Sequence, residues 1–507
     1  MGSSQRPSCL SRSSSRLSRR ELLIQASLGA GGLLLGCSPG IARAFQIPCA
    51  FPSSAMQMEM QAAAYAFPLN PAPRHRKCLH ELAAQPGGLD KLSAALKAMK
   101  DLTTSNPSNP VNWCNQANMH YKHCSDDTGM YLLIHFGWLF LPWHRAYLYF
   151  YESILGNLIG DNNFALPYWD WTNNPTVPAA FFDPSSPLYD PRRAITANDS
   201  ILNDPEVFQT TQQSSIDYIT TLPTFSPQNP GDDSFGGPPD NTQADNRFQG
   251  ALEGGPHDAV HMWVGGNLGD MGDFSTAARD ILFFGHHANI DRLWSVWRSN
   301  QSHTNPSDPA WTGQWYNFYD PSGSTVSVTS RDTTDATRIN VVYDPCPHMP
   351  VEAVAAVAGN KPTFVPAGQP VRVTAEVKAQ QRAEASPQQA GSVLLQGVDI
   401  PANATIRLRV FINKEDATAA TSLTDPHYAG TIFVVGMAQD RPGHAMAKHA
   451  PRNFRLNVLP QAAPQLRQGA SIKITLVPVT QVSTDKNLAA APPVELKVKA
   501  AQVLVGK

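Results

Sequence analysis

Eight of the fifteen histidines in this 507-residue chain fall in two short windows. The first holds His120, His123, His135 and His144, and the second holds His257, His261, His286 and His287. His257 and His261 are four apart in a stretch with helical periodicity, so their imidazoles share one face, as two ligands of one metal must. His144 falls in the first turn of a helix opened by Phe140-Leu141-Pro142-Trp143, where proline is well placed. His287 sits in Phe283-Phe284-Gly285-His286-His287, at the head of another helical run. A lone histidine needs no explanation, but two such windows call for a fold that gathers distant helices around a metal. Neutral imidazole suits copper, zinc, iron and nickel, and spacing alone leaves zinc against copper open. Neither window offers the Glu-x-x-His pattern of a di-iron carboxylate bundle.

Periodicity divides the rest of the chain. Helical patterns run over 84–104, with Leu89, Leu92, Leu96 and Met99, then over 140–159, 251–265 and 281–298. Residues 172–250 are rich in Pro, Asn, Asp, Ser and Gly and read as long loops. The polar stretch 374–391 reads as a linker or a surface helix. Beyond it the period becomes two, through Ile406, Leu408, Val410 and Ile412, then Ile472, Ile474 and Leu476, then Val494, Leu496 and Val498. The expected fold is a mainly α catalytic domain over 45–350, a helix bundle with long loops holding a metal centre. A linker over 351–391 leads to a C-terminal all-β, sandwich-like domain over 392–507. With 16% charged residues and a formal charge of -2, the chain gives no case for nucleic acid as a partner.

Residues 1–44 have their own grammar. Five arginines, including Arg19-Arg20, precede the apolar run Leu22–Leu35, and a sixth follows it in Ala42-Arg43-Ala44. That order is a signal peptide with a twin-arginine address, so the expectation is Tat export to the periplasm or the medium. Leu34-Leu35-Gly36-Cys37 offers a second cleavage box, with Cys37 as a lipid anchor. The apolar run is too short to span a bilayer comfortably, and no transmembrane segment is expected. Cleavage after Ala44 removes six Arg and one Glu, leaving 33 basic and 40 acidic residues. It also leaves five cysteines, Cys49, Cys78, Cys114, Cys124 and Cys346. Five is odd, so at least one thiol has another fate than a disulfide.

The motifs around the histidines bring a family into view. Gln116-Ala117-Asn118-Met119-His120, Phe140-Leu141-Pro142-Trp143-His144-Arg145 and Phe164–Trp171 resemble the first copper region of plant-type polyphenol oxidases. Pro256-His257-Asp258-Ala259-Val260-His261, Gly269-Asp270-Met271-Gly272 and His286–Arg292 resemble the second. These enzymes are tyrosinases and catechol oxidases with a coupled pair of coppers. The resemblance is strong over roughly 110–300, and weaker to the C-terminus. It implies two copper ions, one held by His120, His135 and His144, the other by His257, His261 and His287. It leaves His286 facing substrate or behind the ligands, and gives His123 no ligand role.

Other positions carry over in the same way. Cys124 matches a cysteine joined by a thioether to the second ligand, here His135, which would leave four cysteines for two disulfides in three alternative pairings. The family's plant members have a further cysteine directly after the first histidine. Here that position is Tyr121, so their disulfide pattern cannot be copied. Glu253 matches an acid that holds a water near the metals and could serve as a base toward a phenol. Phe274 matches a gate ring over the second copper. Asp258 departs from the Asn or small residue common at its position, and either assists Glu253 or repels acidic substrates. The implied activity is oxidation of o-diphenols to o-quinones with O2, with ortho-hydroxylation of monophenols as an extension and the C-terminal domain as a lid. The same six histidines would also serve a reversible oxygen carrier resembling hemocyanin, or an exported copper-binding protein.

Overall fold

A computed structural model describes residues 49, 60–68, 72–124, 133–229, 231–239, 248–267, 269–347, 362–380, 391–401, 403–436, 451–467, 471–481 and 493–506. The export signal, with Arg19, Arg20, Cys37 and Ala44, lies outside the described residues. The strands Ala63–Ala64 (β1) and Arg74–Arg76 (β2) precede helices Leu79–Ala83 (α1), Asp90–Ser105 (α2), Trp113–Cys124 (α3) and Phe140–Leu158 (α4). Helix α4 is buried from Phe140 to Gly156, as its nearly all-round apolar sequence requires of a central helix. Helices Pro205–Thr211 (α5) and Gln213–Thr221 (α6) follow. They lie inside the stretch read from sequence as loop. Their start is written in Asp204-Pro205, where the Asp204 carboxylate accepts from Val207 N and proline takes the first turn.

The turn Glu253–His257 is a single π-turn running into helix Asp258–Gly265 (α7). Pro256 has no N–H for the normal helical bond, and Gly254-Gly255 tolerate the wider turn. Helix Ile281–Ser299 (α8) is capped by Asp280, whose side chain accepts from Leu282 N. It packs on α4 through Tyr151 and Phe284, whose rings stack at 3.5 Å, and through Arg145 Nε on Asp291 Oδ1 at 2.5 Å. Strands Trp315–Tyr319 (β3), Thr325–Thr329 (β4) and Val341–Tyr343 (β5) tie the N-terminal arm down: β1 pairs β4 and β2 pairs β5, both parallel. The disulfides are Cys49–Cys114 and Cys78–Cys346, which selects one of the three pairings and leaves Cys124 outside both bridges.

The C-terminal part is all-β, as expected, in strands Phe364–Pro366 (β6), Val371–Gln380 (β7), Gly391–Asp399 (β8), Ile406–Ile412 (β9), Tyr428–Val434 (β10), Arg452–Asn457 (β11), Ser471–Gln481 (β12) and Lys497–Gly506 (β13). They form one sheet in the order β10-β9-β12-β7-β13-β8-β11, with β6 also on β12. Leu459 N, two residues past edge strand β11, donates to Ala429 O in the other edge strand β10, so the sheet curls barrel-like instead of splitting into two stacked layers. Strand β7 corrects the linker, which was read to run through 391. Val371, Val373, Ala375 and Val377 alternate with polar residues, and β7 pairs with both β12 and β13. Its small and polar residues hid that alternation in the sequence.

The β part is joined closely to the helical part. Phe433 and Val435 sit in the same apolar core as the helices. Arg407 bridges Asp204 at 2.6 Å and Glu206 at 3.2 Å, and Arg409 Nε reaches Glu206 at 3.0 Å, all four side chains being buried. Arg407 and Arg409 alternate with the apolar Ile406, Leu408 and Val410 and so lie on the opposite face of β9. That face is the one that docks.

Candidate metal centre

Three elements deliver the first group. Helix α3 carries His120 one turn before its end, α4 carries His144 in its first turns, and His135 comes from the segment between them. Their ring centroids are 5.3–5.5 Å apart, close to an equilateral triangle. The π-turn ends on His257, α7 carries His261 and α8 carries His287, with centroids 4.5, 5.0 and 5.4 Å apart. The two triads face one another: His144 stacks on His287 at 4.3 Å, and His135 lies 6.1 Å from His257. All six rings are 2% exposed or less. Burial, followed by neighbouring rings in most cases, drives them toward the neutral form, with His144 lowered to about 3 and His261 to about 4.

The donor set fits a metal pair. His144 Nδ1 donates to Phe140 O at 2.7 Å, His257 Nδ1 to Asp258 Oδ1 at 2.8 Å and His261 Nδ1 to Met271 O at 2.8 Å. With Nδ1–H spent outward, each Nε2 presents its lone pair to the centre. The Nε2 atoms of His144 and His257 are buried with no hydrogen-bond partner, a state that costs about 1–3 kcal/mol each unless something binds them. His261 Nε2 and His287 Nε2 converge to 3.2 Å. Neutral, convergent imidazoles, with the Cys124 sulfur beside the first group, are ligands for copper rather than for a hard cation.

The remaining expected residues are all nearby. Glu253 Oε1 accepts from Phe136 N at 2.9 Å, while Oε2 is buried without a partner. Burial and then Asp258 push the Glu253 carboxyl well above its ordinary range. Phe136 has a left-handed φ of 63°, a costly conformation for a bulky residue, fixed here beside His135. Asp258 lies behind His257: Oδ1 accepts from His257 Nδ1 at 2.8 Å and Oδ2 accepts from Gln249 Nε2 at 2.7 Å. Burial raises its carboxyl to about 7, against the pull of Gln249 and Arg452. Phe274 packs on His135 at 4.7 Å, so its ring covers the first group and not the second, as read from sequence. Its backbone N, held by Gly436 O at 3.0 Å, sets that side. Cys124 Sγ lies 3.0 Å from His120 Nδ1 and within 4.8 Å of a His135 nitrogen. His123 packs on Trp143 and joins neither triad, and His286 stands among the second group.

Sequence reasoning missed several contributors. Thr405 Oγ1 donates to Gly272 O at 2.8 Å, and the Arg452 guanidinium lies 4.9 Å over the Phe136 ring, so the β part reaches the rim of the centre. Gln249 and Trp171 act one contact behind the histidines. Nothing in the local pattern marks Thr405, Gln249 or Arg452, while Trp171 lies in the Tyr168-Trp169-Asp170-Trp171 motif and was noted without a role. A cavity of about 310 Å³ between α6 and strands β10 and β11 touches the back of the π-turn at Gly254–Pro256, away from the converging nitrogens.

Fold and centre point the same way as the family comparison: residues 110–300 match the family described as the common central domain of tyrosinase. Among curated relatives, the chain is 33% identical over 310 residues to (+)-larreatricin hydroxylase of Larrea tridentata, covering 55% of this chain and 50% of that one. It is 35% identical over 276 residues to a chloroplastic polyphenol oxidase of Malus domestica, covering 50% and 46%. The chain thus spans about half the length of the curated relatives it matches. The structure of latent apple tyrosinase matches with a TM-score of 0.60 and 25% identity, over 86% of this chain and 100% of that one. A latent aurone synthase, a polyphenol oxidase, matches at 0.62 and 25%, over 90% and 93%. These two likenesses take in the β part as well as the helices. No helix among the described residues is long and apolar enough to cross a membrane.

Proposed function

We propose that this chain oxidises o-diphenols to o-quinones while reducing O2 to water, two diphenols per O2, at two copper ions. One ion is held by His120, His135 and His144 and the other by His257, His261 and His287. The observation that carries the reading is the pair of buried triads that face one another across the His144–His287 stack, with the Nε2 atoms of His144 and His257 buried and without a hydrogen-bond partner. When bound, the coppers supply the electron transfer between phenol and O2 that no protein side chain here can perform. The chain's own residues exclude water, hold the imidazoles of His120, His144, His257 and His261 by outward hydrogen bonds, and leave Phe274 to stack an aromatic ring beside His135. Glu253 Oε2, buried and unpartnered, is the base that takes a phenol proton directly or through a water. Asp258 acts as a positioning residue, since both its oxygens are committed to His257 and Gln249. Cys124, whose sulfur lies within 4.8 Å of a His135 nitrogen, forms a thioether to a carbon of that ring, the two hydrogens lost being taken up by O2.

The same reading covers the domains. Residues 45–350 are the catalytic domain and the sheet from residue 362 onward is a lid that keeps the enzyme latent, supported by the contact of Gly436 with Phe274 and of Arg452 with Phe136. Residues 1–44 direct Tat export, with lipidation at Cys37 as the alternative. The deciding experiment is a copper-loaded protein with a protease site inserted after Gly359, assayed on catechols and matching monophenols before and after cutting. Quinone formation that rises on cutting supports enzyme and lid together. Reversible O2 uptake without catechol turnover would instead make it a carrier, and two bound coppers with neither property would make it a copper-binding protein.

A further inference from the structure

The second group contains one imidazole too many. His257, His261, His286 and His287 are all buried, with one nitrogen from each within 4.8 Å of the others. Proton positions, assigned from hydrogen-bond partners, separate them. His257 and His261 each place Nδ1 against an oxygen acceptor, a carboxylate in one case and a carbonyl in the other, so Nδ1 carries the proton and Nε2 the lone pair. His144 across the centre does the same. His286 has the opposite polarity. Its Nδ1 lies 3.1 Å from Trp171 Nε1, and an indole N–H can only donate. The Nδ1 lone pair is therefore spent on Trp171, and the ring proton must sit on Nε2. A doubly protonated ring is excluded too, because donor would meet donor at Trp171.

We propose that Trp171 locks His286 in the Nε2–H form and thereby keeps the fourth imidazole out of the metal's shell, making His286 a positioning residue and not a ligand. The proposal rests on the reading of the second triad as a metal site. A nitrogen that carries a proton has no lone pair to give. His286 instead stands as a plate parallel to His257, with centroids 5.4 Å apart and planes at 21°, and braces that ligand from behind. Trp171 is itself 1% exposed and set by the backbone bond from its N to Trp169 O, so the donor cannot swing away. The lock leaves the second metal with three imidazoles, the same number as the first, and hence with an open position for O2 or substrate.

The experiment uses the full-length protein in two forms. In the metal-free form, 15N NMR of histidine-labelled protein, with the His286 signal identified by its loss in His286→Gln, reports which nitrogen holds the proton. In the copper-loaded form, copper per chain and resistance to a chelator are measured for wild type, Trp171→Phe, His286→Gln and the double variant. Glutamine keeps an acceptor for Trp171 and an N–H opposite it. The expected result is a proton on Nε2, two coppers retained by His286→Gln, and a change of about ten-fold or more in chelator resistance for Trp171→Phe that the double variant abolishes. A proton on Nδ1, or loss of one copper from folded His286→Gln, overturns the proposal. Failure of every protein to bind copper would overturn the metal reading, while the NMR result would still decide the tautomer. If Trp171→Phe does not fold, the wild-type NMR and His286→Gln copper count remain decisive.

Discussion

The four-residue ion cluster between the helical and β parts sets how firmly the proposed lid is held. Glu206 accepts from Arg407 Nη1 at 3.2 Å, from Arg409 at 3.0 Å twice and from Thr431 Oγ1 at 2.6 Å. Burial alone would raise its carboxyl, but Arg407, Arg409 and Thr431 hold it below the ordinary range. Glu206→Gln keeps the volume and removes the charge. Arg409 then loses the carboxylate it pairs with, and Arg407 keeps Asp204 alone. Removing one partner of a buried pair costs about 3–5 kcal/mol. If the cost falls on the docked state, the ratio of docked to undocked lid drops by about two to three and a half factors of ten. The assay is catechol oxidation by the uncut chain relative to the same chain cut after Gly359. We expect the uncut Glu206→Gln protein to gain at least ten-fold toward the cut value. Glu206→Leu combined with Arg409→Met, which removes both charges, should recover most of the latency. A folded, copper-loaded Glu206→Gln protein with unchanged latency would refute the reasoning.

The same cluster gives a pH dependence. A carboxylate whose folded value is depressed contributes stability above its unfolded value, and that stability is lost as pH falls through the folded value. Lid docking should therefore weaken below about pH 4, read as reversible activation of the uncut enzyme, and Glu206→Gln should flatten that response. The thioether has a mass test that also identifies the partner. After reduction, trypsin yields Asp101–Lys122 with His120 and His123–Arg145 with Cys124 and His135. A bond to His135 leaves the second peptide two hydrogens light and closed to alkylation, whereas a bond to His120 joins the two peptides. Glu253→Gln should lower kcat on phenols by about 10²–10⁴ with copper content unchanged. Loss of Cys78–Cys346 through Cys78→Ser should cost about 2–5 kcal/mol, seen as a lower Tm.

The centre was more legible in the sequence than its surroundings. Spacing marked two windows of eight histidines and the resemblance of the flanking motifs singled out six, of which helices α4, α7 and α8 carry His144, His261 and His287. What depended on the third dimension was misread or left open. Phe274 was placed over the wrong triad, since nothing in a 13-residue interval says which way a loop returns. Asp258 looked free to meet substrate, but its oxygens turn to His257 and Gln249. The three disulfide pairings were equal on paper until the N-terminal arm lay along β5. Strand β7 and helices α5 and α6 were missed because small and polar residues carry too little hydrophobic contrast for a period to show.

The bridge between Cys78 and Cys346 closes a covalent ring around every proposed copper ligand, from His120 to His287. Cys49–Cys114 fastens the N-terminal arm to that ring. A single nick anywhere inside the ring leaves its fragments tethered, with the two triads still on one molecule. A single nick after Cys346 frees everything beyond it. Under oxidising conditions, indiscriminate proteolysis is thereby converted into a directional event: most wounds are held shut, and the cut that detaches a piece is the one that removes the lid.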